Sequence, residues 1–246
     1  MGRTVYFFII SFILLPGIRL ELKAQSEPAE PPPVRIAFRT FMLQGSLSGP
    51  PLQLIDGARK QINVRVLNTH LSYATFNYYG PNPLLFYQEE ELVASFTVPE
   101  GMREMILFFV ERKNRVPGEP KFHITAMEAD AVNFPLGSYL FINFSDLDIA
   151  AQIDKTRIQL GPQDQKLVTL SHENDTSITA RFAERRNGEW VRSYQLAWFF
   201  QPNARRMVFL TQDDDVDQSL RLRTVTDRNY RPMPPEVEEN DAETPP

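Results

Sequence analysis

Cysteine is absent from the 246 residues of this chain. No disulfide can staple the fold, so apolar cores must hold it together. No thiolate nucleophile and no thiolate metal site can form, and no cysteine near the N-terminus can carry a lipid. Histidine is scarce: His70, His123 and His172 are the whole set. None forms a pair at metal-ligand spacing, and no His-Glu-x-x-His is present. His70 and His172 fall in turns, and His123 lies opposite Phe122 and Ile124, so each reads as a solitary side chain without chemistry of its own. Glycine numbers only 11, mostly isolated at turns, and no glycine-rich loop is built to cradle phosphate. Gly45-Ser-Leu-Ser-Gly49 looks like a nucleophile elbow but has the wrong spacing and no following helix.

A basic surplus is missing too. The formal net charge is −5. Without residues 1–24 the chain keeps 23 basic against 30 acidic residues, a net −7. An acidic chain repels phosphate backbones, and no run of basic residues offsets this, so a nucleic-acid partner is not expected. The densest acidic run, Asp213-Asp-Asp-Val-Asp217, lacks the glycine and distal glutamate of a helix-loop-helix calcium site and reads as a solvated loop. Carboxylate pairs for glycoside hydrolysis need not be neighbours in sequence, and nothing singles out such a pair. No metal or cofactor is expected.

What is present begins with an address. Met1-Gly-Arg3 is positive, Val5 to Leu15 is an apolar run of 11 residues, and Pro16-Gly17 breaks it. That is the pattern of a secretory signal over residues 1–24, with cleavage expected between Ala24 and Gln25. The run is too short to span a bilayer, which takes about 20 residues, and no longer one follows. Export is therefore expected, to periplasm, cell surface or medium, with no membrane span in the mature chain. Residues 25–33 form a proline-rich linker. Residues 229–246 are acidic, proline-rich and expected to be disordered.

Between them the apolar residues repeat every second position. Val34, Ile36 and Phe38 alternate with Arg35 and Arg39; Ile62 and Val64 alternate with Asn63 and Arg65; Ile178, Ala180 and Phe182 alternate with Thr179 and Arg181. This is the rhythm of half-buried strands. Turn signals recur at sandwich spacing and no stretch reads as helix. Phe134-Pro-Leu-Gly137 marks a restart, giving one β-sandwich over 34–130 and a second over 131–228. Asn187-Gly188 is the strongest hairpin signal, because its residues suit the two positive-φ positions of a type I′ turn. Glu91 to Val110 reads as strand, turn at Pro99-Glu-Gly101, strand. It has an echo at Gln195 to Thr211, where a constant shift of 103 places Ala94 on Ala197, Phe96 on Phe199, Pro99 on Pro202, Arg103 on Arg206 and Leu107 on Leu210. One hairpin built twice is expected, with Phe96 and Phe199 in like surroundings.

On these features, from the leader to about Arg228, the chain resembles secreted bacterial proteins made of two β-sandwich halves. Phe134-Pro-Leu-Gly-Ser-Tyr-Leu-Phe-Ile-Asn-Phe-Ser145 is similar to the Pro-x-Gly-x-Tyr-x-x-x-Asn opening of small immunoglobulin-like repeats in extracellular proteins. The resemblance implies export and two tandem immunoglobulin-like antiparallel β-sandwich domains, all-β, and it implies no activity.

A non-enzymatic binding or structural role, with a protein or glycan partner, is the leading expectation. The candidate contact residues are Tyr73, Tyr79 and Tyr87, aromatic side chains around Gly80-Pro-Asn-Pro83 that could stack on sugars or meet a protein. Ordinary core packing is the plain alternative for the same residues. A carbohydrate-binding protein or hydrolase using 73–87 is a second reading. An assembly subunit or chaperone pairing through a sheet edge is a third. Asn143-Phe-Ser145 and Asn174-Asp-Thr176 match the glycosylation pattern.

Overall fold

The computed structural model describes residues 32–212 and 219–228. The expected signal, most of the linker, the Asp213–Asp217 run and the acidic tail lie outside the described residues. Sixteen strands and no helix make up what is described. In the first half these are β1 (Val34–Gln44), β2 (Leu52–Ile55), β3 (Gln61–Val64), β4 (Phe76–Gly80), β5 (Leu84–Gln88), β6 (Glu91–Phe96), β7 (Glu104–Glu111) and β8 (Phe122–Glu128). In the second they are β9 (Ser138–Asn143), β10 (Ile149–Ile153), β11 (Thr156–Leu160), β12 (Gln165–Thr169), β13 (Ser177–Arg186), β14 (Glu189–Phe199), β15 (Arg205–Gln212) and β16 (Leu220–Asp227).

Four four-stranded sheets result: an outer sheet β3-β2-β5-β6 and an inner sheet β4-β1-β7-β8 in the first half, then an inner sheet β12-β9-β15-β16 and an outer sheet β11-β10-β13-β14 in the second. Adding eight to each strand number converts the first half into the second. The repeat therefore covers an entire eight-stranded sandwich. The expectation of purely antiparallel sheets needs correcting, because β1 runs parallel to β7 and β9 parallel to β15.

The layers stack outer, inner, inner, outer. One core, with Phe38, Phe86 and Phe109, fills the first sandwich; another, with Phe141, Ile153 and Phe182, fills the second. A third joins the two inner sheets face to face through Phe41, Ile106 and Phe108 on one side and Ile142, Met207 and Phe209 on the other. Phe41 stacks on Phe209 with centroids 5.8 Å apart, and Phe108 meets the same ring edge-on at 5.3 Å. This explains the apolar runs Met105–Phe109, Tyr139–Ile142 and Met207–Leu210. A strand covered on both faces reads as continuous hydrophobe, without alternation.

Charge also crosses this middle layer. The fully buried Asp227 carboxylate takes hydrogen bonds from Arg39 on β1 and from Arg205 on β15, the latter at 2.7 Å. Arg205 also donates to the carbonyls of Ala129 (2.6 Å) and Phe134 (2.9 Å) in the connection between the halves. Arg223 donates to the carbonyl of Leu43 at 2.8 Å and lies over the Phe41 ring. Loss of water holds the Arg223 guanidinium below its ordinary pKa. An apolar layer alone would tolerate sliding; paired buried ions fix one register, since any displacement strands a charge.

The expected hairpin at Pro99-Glu-Gly101 is not one. β6 pairs with β5 in the outer sheet, whereas β7 pairs with β1 and β8 in the inner sheet. The chain crosses between layers there, and β14 to β15 repeats the crossing. The physical reason lies in the strands: β6 has an exposed side, and β7 needs cover on both. The real hairpin joins β5 to β6 through Glu89-Glu90, both at positive φ (48° and 70°).

The residue-for-residue echo holds in β7 and β15, where Leu107 and Leu210 are both fully buried. It fails in β6 and β14. Phe96 packs against the first core, but Phe199 is 60% exposed. Trp198 takes the corresponding place, stacked on Tyr139 at 5.7 Å. Trp198 precedes Val208 by one residue more than Phe96 precedes Met105, and a one-residue slip turns a strand's faces over.

The Pro135-x-Gly137-x-Tyr139-x-x-x-Asn143 stretch has a structural account. Gly137 adopts φ 74°, and an added Cβ would press on the Phe200 ring at 3.4 Å. Tyr139 stacks on Trp198 with the Arg206 guanidinium over its ring. The buried Asn143 amide donates to the carbonyls of Leu147 and Gly161, both at 2.8 Å, and accepts from the Ser145 hydroxyl at 2.6 Å.

Candidate functional site

The three tyrosines do not share a surface. Tyr79 is 58% exposed and opposes Arg35, so it points away from the first core on the inner-sheet side. Tyr87 is half-buried and opposes Gln53, between the inward Leu52 and Leu54; it points away from the core on the outer-sheet side. Tyr73 is 71% exposed in the loop before β4, its ring 4.4 Å from that of His70.

The histidines are scattered. His70 meets the Leu71 carbonyl at 2.8 Å, His123 is exposed opposite Val110, and His172 lies 3.4 Å from Asp154. No group of three His, Asp or Glu able to hold a metal occurs among the described residues. Of the two glycosylation patterns, Asn143 is buried with its amide fully engaged, and Asn174 is exposed.

The feature with chemistry lies on the second outer sheet, on the face turned away from the core. Strand register assembles it. Arg157 on β11 opposes Gln152 on β10, which opposes Arg181 on β13, which opposes Gln195 on β14. The next row is Gln159, Ala150, Ala183 and Arg192. Long cationic side chains thus surround two alanines that reach no further than Cβ. The result is a hollow of about 650 Å³, with Lys166 of the neighbouring β12 also in its lining. Arg157, Lys166, Arg181 and Arg192 are all exposed.

None of these four cations has a carboxylate within ion-pair distance among the described residues. The nearby acids are directed elsewhere: Asp154 towards His172, Asp148 towards Arg185, and Glu184 towards Arg186. Free cations around a concave, low-dielectric floor focus positive potential on an otherwise acidic molecule. Arginine presents a planar fork that meets carboxylate, sulfate or phosphate with two parallel hydrogen bonds. Among the described residues the polar side chains lining the hollow are guanidinium, ammonium and amide groups, an arrangement that can hold an anion.

Sequence reasoning missed this surface because the cations are dispersed over 36 positions, Arg157 to Arg192. One signal was available. Arg157 and Arg181 each occupy an outward position in an alternating strand, but only the pairing of β11 and β13 through β10 brings them together. No known protein family matches this chain, and no curated protein sequence does either.

Proposed function

We propose that the chain is an exported, non-catalytic binding protein whose contact face is the basic hollow of the second outer sheet, and that its partner is anionic. The observation carrying this reading is the set of four cations around one hollow that have no carboxylate partner among the described residues, on an acidic chain. Surface cations without a task are ordinarily interspersed with acids. The leader over residues 1–24 and the cysteine-free composition support export without a lipid anchor, and the paired four-stranded sheets support an immunoglobulin-like assignment for each half. Cleavage before Gln25 is checked by sequencing the N-terminus of the protein recovered outside the cytoplasm. The binding claim is tested by titrating the labelled protein with a polyanion, heparin, while recording arginine side-chain NMR signals. Arg157, Arg181 and Arg192 should shift together and lose the effect in high salt; shifts spread evenly over all arginines would overturn the proposal.

A second reading has its own observation. β14 is 11 residues long and, among the described residues, pairs on one side only. Its exposed Trp190, Val191 and Phe199 suit addition of a strand from another chain. Concentration-dependent association in sedimentation, abolished by proline at Trp190, whose N–H lies on the free side of β14, is the expected outcome if assembly is the role.

A further inference from the structure

We infer that the hollow takes a carboxylated polysaccharide, a polyuronate segment lying across the strands. This rests on the anion-binding reading above and names its ligand. The cations stem from separate strands: Arg157 and Arg181 share one row, Arg192 belongs to the next, and Lys166 comes from the edge of the inner sheet. With paired strands about 4.8 Å apart, Arg157 and Arg181, two strands from each other, are separated by about 10 Å, and β14 with Arg192 lies one strand further on. A single inorganic anion is gripped by donors meeting at one place; a row of separated donors suits an extended chain with charges at intervals. Sparse spacing also favours one carboxylate per sugar over the crowded charges of a heavily sulfated chain.

Amides fill the intervals. Gln152 gives its amide nitrogen to the Asp154 carbonyl at 3.0 Å, which leaves its oxygen to accept from a hydroxyl. Gln159 and Gln195 are exposed in the same two rows. Alternating guanidinium and amide matches a ligand that alternates carboxylate and hydroxyl. The floor argues against single-stranded nucleic acid. Ala150 and Ala183 offer no stacking platform, and Phe182, the one lining aromatic among the described residues, points into the core. Sequence-tolerant binding of single strands draws on aromatic stacking.

The test is calorimetry on the full chain with galacturonic acid, oligogalacturonates of two to eight sugars, a heparin octasaccharide and a 12-nucleotide DNA strand. Affinity should rise with oligogalacturonate length and level off once the row is covered. Arg181→Ala should lose about tenfold or more, the scale of one charge-assisted contact, with an unchanged thermal midpoint because Arg181 is exposed. Tighter binding of DNA or heparin than of oligogalacturonate would overturn the inference, and so would equal affinity for monomer and octamer; both leave the anion site standing. No response of the hollow to any of the probes would remove the anion site as well.

Discussion

The two halves share strand order, pairing and the parallel central strands, yet they present opposite surfaces on their outer sheets. The row Arg157, Gln152, Arg181 in the second half corresponds to Asn63, Gln53, Tyr87 in the first. Of the outward residues around that row, Ile55, Gln61 and Ser95 carry no charge, and Arg65, two positions beyond Asn63, is a lone cation. Tyr87, a candidate on aromatic grounds, thus occupies the place where the second half puts its central arginine. The comparison teaches that the scaffold's interior is tied to its fold while its outer face is free to change. Substitution there touches solvent only, so one sandwich can carry few cations and its repeat a cluster of them at little cost in stability.

A second contrast concerns the hairpin turns. β13 and β14 join through Asn187-Gly188, both at positive φ (51° and 87°), the residue pair that suits such a turn. β5 and β6 use the same two-residue turn with Glu89-Glu90, which combines unfavourable backbone with adjacent like charges.

The strongest challenge to the comparison is whether the halves are separable at all. Phe209→Ala empties the middle of the shared core and should cost about 3–5 kcal/mol. Both tryptophans, Trp190 and Trp198, are in the second half, so their fluorescence reports that half alone. Phe86→Ala, made in the first half, should nevertheless lower the tryptophan-detected midpoint if the stack unfolds as one body. Loss of part of the circular dichroism signal before any change in fluorescence would show two independent sandwiches. Asp227→Ala should be of similar size, about 3–5 kcal/mol, because it leaves Arg39 and Arg205 buried against each other without their shared carboxylate. Denaturant unfolding measures it; a change under 1 kcal/mol would mean that water reaches the cluster.

Smaller effects sharpen the turn comparison. Replacing Glu89-Glu90 with Asn-Gly should stabilise the chain by about 1–2 kcal/mol by relieving left-handed strain. An unchanged melting point would indicate that the glutamates make compensating contacts. The smallest effect is expected at the connection between halves. Burial acts to raise the Asp130 pKa, but hydrogen bonds from Asn133 and Val132 outweigh it, and the net shift is below 3.8. A carboxylate held below its unfolded value contributes stability above that value and loses it as pH falls through the folded one. The stability difference between the natural chain and Asp130→Asn should therefore be constant near neutrality, begin to fall near the ordinary carboxylate pKa of about 4, and vanish only once pH has dropped through the lower folded value. A difference that persists at pH 2 would assign the effect to shape instead of charge.

Much of the fold was legible in the order of residues. Alternation at Val34–Phe38 and Ile178–Phe182, the Asn187-Gly188 turn and the absence of any helical period defined an all-strand chain in two like halves, because each depends on neighbours a few positions apart. The crossing at Pro99 was not legible, since nothing local distinguishes a strand that turns back within its sheet from one that passes to the next layer. The same limit hid the Trp198 substitution for Phe96, the Asp227 cluster and the row of arginines. Those were decided by which strands lie side by side, and that follows from the burial of Phe41, Phe108 and Phe209 between two inner sheets: a free-energy gain that belongs to the assembled layers and to no single segment.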